Sequence, residues 1–145
     1  MQRVEFFVLE GCNERERSKR ACQEIETAFQ AEERVLVWFD TEADLSAFDE
    51  LLWTFADRSF VPHEPLHADS TWDDTPVLLS ARNSPPAAPT VIVNLSAAVP
   101  PGAEAAQRIV EIIDADPARR QAARVRFKQY RDLGVEPVTH KLLTP

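Results

Sequence analysis

The sequence predicts an α/β domain: three α/β/α layers around a mostly parallel central sheet. Three observations predict it. Short apolar runs with strand composition alternate with longer segments in which apolar residues recur every three or four positions. The runs Arg34-Val-Leu-Val-Trp-Phe39 and Thr90-Val-Ile-Val-Asn-Leu95 are continuously apolar at their centres, the pattern of strands covered on both faces. The intervening helical segments are long enough to serve as crossovers between parallel strands.

Taken in order, Val4-Glu-Phe-Phe-Val-Leu9 reads as a first strand. Gly11-Cys-Asn13 breaks it, and Asn13 with Glu16 forms a capping-box pattern that opens a helix. Ala21, Cys22, Ile25, Ala28 and Phe29 mark its buried face. After the second strand, Thr41 and Asp44 open another helix, with Leu45, Phe48, Leu51, Leu52 and Phe55 at helical spacing. Ser59-Phe-Val-Pro-His63 contains a proline and reads as a loop or edge segment. Residues 64–75 are acidic and irregular, with Trp72 among Asp69, Asp73 and Asp74. Val77-Leu-Leu79 is a short strand, and the prolines of Asn83–Pro89 make a loop. Pro100-Pro-Gly102 is expected to lead into a helix with Ala106, Ile109, Val110 and Ile113 inward. Asp116-Pro117 caps a last helix that Gly134 ends, and a short extended piece, Val135 to Leu143, follows.

The 145 residues are expected to form a single domain, 1–145. The longest apolar runs are about five residues, far short of a membrane span, and no secretory signal pattern opens the chain, so a cytoplasmic protein without a membrane partner is expected. Cys12 and Cys22 are ten positions apart without a CxxC motif and read as ordinary thiols.

Folds of this class often bind nucleotides, but phosphate needs a glycine-rich turn with accessible amides. The chain has only Gly11, Gly102 and Gly134, and neither GxGxxG nor GxxxxGK[ST] occurs. It is therefore nucleotide-binding-like without a phosphate loop, and no cofactor is expected. His63, His67, Asp69, Asp73 and Asp74 match no compact metal-ligand spacing, so no metal is expected. Ser59 near His63 lacks a nucleophile elbow, so no catalytic residues are assigned.

Charge is unevenly placed. The net charge is −8, yet residues 117–134 carry six basic side chains and one acidic, a local +5. At 100° per residue, Arg120, Arg124, Phe127 and Arg131 lie within about 60° of arc, with Lys128 about 40° beyond. From the residues alone this stripe is either a solvated face or an anion-binding surface. Trp53, Phe60, Val61 and Pro62 likewise read either as core or as an apolar patch for a protein partner.

Two blocks carry a family resemblance. Phe48-Asp-Glu-Leu-Leu-Trp53 followed by Ser59-Phe-Val-Pro-His63 resembles the LDEALW…SFVPH signature of the chi subunit of bacterial DNA polymerase III holoenzyme, with matching spacing. Arg126-Phe-Lys-Gln-Tyr-Arg131 is similar to that family's RYKxYR segment, and Arg34-Val-Leu36 to its K-R-V-L strand. The resemblance spans nearly the whole length and is weakest from Glu64 to Pro89. It implies a non-catalytic adaptor with no active site, tying the clamp loader to single-stranded DNA-binding protein (SSB). Chi proteins hold the acidic C-terminal tail of SSB, which ends in an apolar pair and a free carboxylate. They also pair with a psi subunit that bridges to the clamp loader.

By family position the tail site falls on Arg120, Arg124, Phe127, Lys128 and Arg131, with Arg124 for the terminal carboxylate and Tyr130 helping to wall the pocket. Phe127 stands where the family often has Tyr: it keeps the stacking face and lacks the hydroxyl. The psi-facing surface, or that of an equivalent clamp-loader component, falls on Trp53, Phe60 and Pro62. DNA is then reached only indirectly, through SSB. An alternative is a module binding single-stranded nucleic acid directly with the basic helix, against which the −13 of residues 1–116 argues.

Overall fold

The computed structural model describes residues 1–55 and 61–142. Among the described residues seven strands form one sheet: β1 (Arg3–Leu9), β2 (Val35–Trp38), β3 (His63–Pro65), β4 (Val77–Ser80), β5 (Val91–Asn94), β6 (Arg108–Ile113) and β7 (Val138–Leu142). Their spatial order is β3-β4-β2-β5-β6-β1-β7, and all six neighbouring pairs are parallel. The α-helices among the described residues, α1 (Glu14–Gln30), α2 (Glu42–Thr54) and α3 (Pro117–Asp132), complete the three layers.

The capping pattern at Asn13 is real. Asn13 Oδ1 accepts from the Glu16 amide at 3.0 Å, and Glu16 Oε1 accepts from the Asn13 amide at 3.0 Å. The helix end that nucleotide-binding folds aim at phosphate is here closed by the chain's own carboxylate. Thr41 caps α2 through the Asp44 amide, and Asp116 caps α3 through the Arg119 amide with Pro117 at the first turn.

Two cores lie on the two faces of the sheet. On one, α1 (Ala21, Cys22, Ile25, Ala28) and α2 (Leu45, Phe48, Leu52) cover Phe7, Val35, Val37, Val93, Val110 and Ile112. On the other, α3 is the only α-helix among the described residues and contributes Ala123 and Tyr130. Trp72, held by its Nε1 donating to the Ala87 carbonyl at 3.0 Å, Ala103 of a 3-10 turn and Ala106 just after it cover the rest of that face. Trp72 is thus core, although its acidic neighbours give it the look of loop.

One expected element is different. The helix expected to contain Ile109, Val110 and Ile113 is strand β6, in the middle of the sheet between β5 and β1. Only Ala103–Ala105 is helical, and that is a single 3-10 turn. The apolar spacing fits a helix, but Ile109, Val110, Ile112 and Ile113 are β-branched, and consecutive burial favours a strand with both faces covered. The Ser59–His63 segment ends in edge strand β3, in keeping with a loop-or-edge reading; its residues 59 and 60 lie outside the described residues.

Candidate functional site

Helix α3 is fixed to the sheet by a buried polar cluster. Glu111, in the middle of β6, is fully buried. Arg126 meets its carboxylate with two hydrogen bonds, from Nε and Nη2, both 3.0 Å. The Tyr130 hydroxyl donates to it at 2.6 Å and Asn94 Nδ2 at 2.9 Å. Arg126 Nη1 also donates to the Ala97 carbonyl at 2.8 Å. Planar guanidinium suits this bidentate pairing, and every lone pair filled lowers the cost of burying the charges. Burial, and then the adjacent Glu111 carboxylate, push the Tyr130 hydroxyl far above its ordinary range, so it stays a donor. Tyr130 therefore belongs to the core under α3 and does not wall an exterior pocket; the expectation that it would is corrected by its complete burial.

At the start of α3, Arg119 pairs with the buried Asp114, Nε to Oδ1 at 3.0 Å and Nη2 to Oδ2 at 2.6 Å. Burial alone would raise the Asp114 carboxyl. Hydrogen bonds from Arg119 and the Asp116 amide, with the charges of Arg119 and Arg17, outweigh it and hold the group below its usual range.

With the helix so anchored, its other side leaves a cleft of about 240 Å³ over the sheet. Phe6 and Val8 of β1, Ile113 of β6 and Thr139 of β7 form the sheet side. Arg120, Ala123, Arg124 and Phe127 form the helix side. The Phe127 ring packs on Phe6 with centroids 5.4 Å apart, so it is half wall and half exposed aromatic edge. Three of the five expected tail-site residues, Arg120, Arg124 and Phe127, thus line one apolar-floored cavity. Lys128 and Arg131 lie on the same helix outside it, both exposed.

These cations differ in what they are free to do. Arg120 is partly engaged, Nε donating to the Asp114 carbonyl at 3.0 Å and Nη2 lying 3.4 Å from Glu10. Arg131 pairs with Glu136 at 3.1 Å, an exposed contact of small value. Arg124 is exposed and donates only to Gln121 Oε1, at 3.2 Å. Among the described residues, neither Arg124 nor Lys128 has a carboxylate partner.

The second expected surface lies elsewhere. Trp53, near the end of α2, is 47% exposed, and its ring sits 4.0 Å from that of His63. His63 is buried, with Nδ1 2.7 Å from the Val61 carbonyl and Nε2 3.1 Å from Asp49 Oδ1. Pro62 is half-buried and Val61 is core. Phe60 lies outside the described residues.

A larger cleft, about 700 Å³, opens at the carboxyl ends of β2, β5 and β6, where α/β folds commonly bind ligands. Three of its four arginines are already in use: Arg17 donates to the Ile112 carbonyl at 2.9 Å, Arg119 holds Asp114 and Arg126 holds Glu111, while Arg15 lies exposed at the rim. No group of three or more His, Cys, Asp or Glu side chains among the described residues is placed to hold a metal ion. Burial pushes the Cys22 thiol up to about 12, and Cys12 is raised by burial and then by Glu16; neither is in a disulfide. Among the described residues no helix is long and apolar enough to cross a membrane.

The family model described as DNA polymerase III chi subunit, HolC, matches residues 1–138. The chain belongs to the DNA polymerase III chi subunit family. DNA polymerase III subunit chi of Pseudomonas aeruginosa is 31% identical over 142 residues, covering 98% of each chain. DNA polymerase III subunit chi of Haemophilus influenzae is 29% identical over 114 residues, covering 77% of each. The match to the family model takes in the whole of α3 and the Trp53 region, so both candidate surfaces lie on chain that the family shares.

The reading of the sequence missed Glu111 and Arg126. Their signal was present: an acid inside an apolar run, and an arginine on the same helix face as Ala123 and Tyr130.

Proposed function

We propose that this chi-family chain is a non-catalytic adaptor of the replicative polymerase III holoenzyme, gripping the acidic C-terminal tail of SSB in the cleft between α3 and the sheet. The observation that carries the reading is the pairing of an apolar cavity with a cation no carboxylate of the described residues neutralises. Phe6, Val8, Ile113 and Phe127 offer a slot for a terminal apolar side chain, and Arg124 stands at its helix side. A guanidinium donates two parallel hydrogen bonds to a carboxylate, which suits a free chain terminus. Arg120, Lys128 and Arg131 extend the positive field along the helix for the acidic residues that precede it.

Trp53 and Pro62 lie in the surface we assign to psi or an equivalent clamp-loader component; Phe60, assigned with them by resemblance, lies outside the described residues. An exposed Trp beside a half-buried Pro has the composition of an interface anchor.

Calorimetric titration with a short acidic peptide ending in Pro-Phe tests the tail reading. Binding in the micromolar range, roughly −8 kcal/mol, is expected, weakening as salt rises. The same peptide with an amidated C-terminus should bind distinctly less well. Equal affinity for the two forms would contradict a pocket that recognises a terminal carboxylate. Tight binding of a bare oligonucleotide at ~150 mM salt, with no peptide binding, would replace this reading with direct nucleic-acid binding.

A further inference from the structure

The cleft is bounded on its outer side by β7, and among the described residues β7 is the last strand of the sheet. An edge strand presents main-chain donors and acceptors without a sheet partner. Which residues present them follows from the register. Leu9 lies opposite Leu142, and the Glu10 amide donates to the Leu142 carbonyl at 2.7 Å. In a parallel pair, alternate residues direct both main-chain groups to the same neighbour. Val138, His140 and Leu142 therefore face β1, while Thr139 and Lys141 turn their amides and carbonyls outward.

These same two residues carry their side chains on the α3 side. Thr139 lies opposite Phe6 and lines the cleft. Lys141 lies opposite Val8, another lining residue, so it stands on the cleft side at the strand's outer end. Lys141 is exposed and has no carboxylate partner among the described residues. From the opposite face, His140 Nε2 lies 3.0 Å from Glu5 and its ring stacks on Phe7 at 4.8 Å, which ties β7 down to β1.

We infer that the acidic tail is held as an added strand along the open edge of β7, its main chain paired with Thr139 and Lys141 and a carboxylate of the tail on Lys141. This rests on the tail reading above and adds to it a backbone component and a residue outside α3. Main-chain pairing supplies affinity without regard to sequence, while alternate side chains of an added strand enter pockets on one face. Here that face is the cleft with Phe6, Val8 and Phe127. Charge selects the occupant. Arg120 and Arg124 line the cleft beside this edge and Lys141 stands on it, so an acidic strand is matched, whereas the β7 of a second copy would bring a further lysine to an already basic edge.

Fluorescence anisotropy with the acidic Pro-Phe peptide distinguishes the two levels of the argument. Thr139→Pro removes one outward amide and no hydrogen bond to β1, a substitution that edge strands tolerate. It should weaken the peptide about fivefold, the usual loss for one hydrogen bond. Lys141→Glu should weaken it by roughly threefold or more, most at low salt. A peptide N-methylated at its main-chain amides, tested on the unaltered protein, should also bind less tightly and needs no variant to fold. If Thr139→Pro and the methylated peptide leave affinity unchanged while Arg124→Ala abolishes it, the edge inference is overturned and the cleft reading stands. If the unaltered protein binds no acidic peptide, both fall. A dimer by light scattering that Thr139→Pro dissociates, with peptide affinity intact, would give the edge to a second copy and also overturn the inference.

Discussion

Arg124 and Arg126 are two residues apart on one helix and have opposite surroundings. Arg126 is 3% exposed, with a bidentate carboxylate and a backbone carbonyl around its guanidinium. Arg124 is exposed and meets only a glutamine side chain. A two-residue step turns a helix by about 200°, which carries one side chain into the sheet and the other out to the cleft rim. The basic character of α3 therefore divides by partner. Arg119, Arg120, Arg126 and Arg131 have carboxylates beside them, and among the described residues Arg124 and Lys128 do not. Internal pairing holds the helix in place; the unmatched charge is what remains for a partner.

Removing the internal partner should give the largest effect. Glu111→Ala leaves Arg126 buried and unpaired, which should cost about 3–5 kcal/mol in chemical denaturation. A loss below about 1 kcal/mol would mean that Arg126 swings out to solvent and resembles Arg124 after all. Tyr130→Phe deletes one hydrogen bond to the same carboxylate and should cost about 1.5–3 kcal/mol.

Acid should act next. The Asp114 carboxyl is held below its usual range, so its contribution is complete above the ordinary aspartate value of about 4 and is lost as pH falls through its lower folded value. Arg119 is 34% exposed and solvent screens the pair, so the loss is on the order of 1 kcal/mol. Melting of the unaltered protein and of Asp114→Asn across pH 2–6, a range set by the usual carboxylate pKa of about 4, reads it out. The variant's melting temperature should depend less steeply on pH.

Arg124→Ala marks the other end of the scale. Stability should change by no more than about 0.5 kcal/mol, while affinity for the acidic peptide falls at least about tenfold. Destabilisation comparable to that of Tyr130→Phe would erase the distinction between the two arginines.

Much of this was legible in the sequence, for reasons that also explain what was not. Strands β1, β2, β4 and β5 and helices α1, α2 and α3 announce themselves through apolar periodicity and through caps at Asn13, Thr41 and Asp116. Strand β6 did not, because Ala106, Ile109, Val110 and Ile113 satisfy helical spacing and Glu111 between them looks like a solvent face. Only its partners on α3, distant in sequence, show that the acid is buried. The same partnership hid the role of Tyr130, which sequence alone places near the site. Arg120, Arg124 and Phe127 were legible as neighbours on one helix face, and they do line one cleft. What a helical projection lacks is the sheet beneath: Phe6, Val8, Ile113 and Thr139 come from three other strands, and no local pattern joins them to α3.

The most direct test of the central claim is amide chemical-shift mapping on the isotope-labelled protein as the acidic Pro-Phe peptide is added. Shifts are predicted at Phe6, Val8, Thr139 and the Arg120–Lys128 stretch, with little change around Trp53 and His63. Shifts centred on Trp53, or none along the cleft at saturating peptide, would contradict the assignment of the tail to this face of α3.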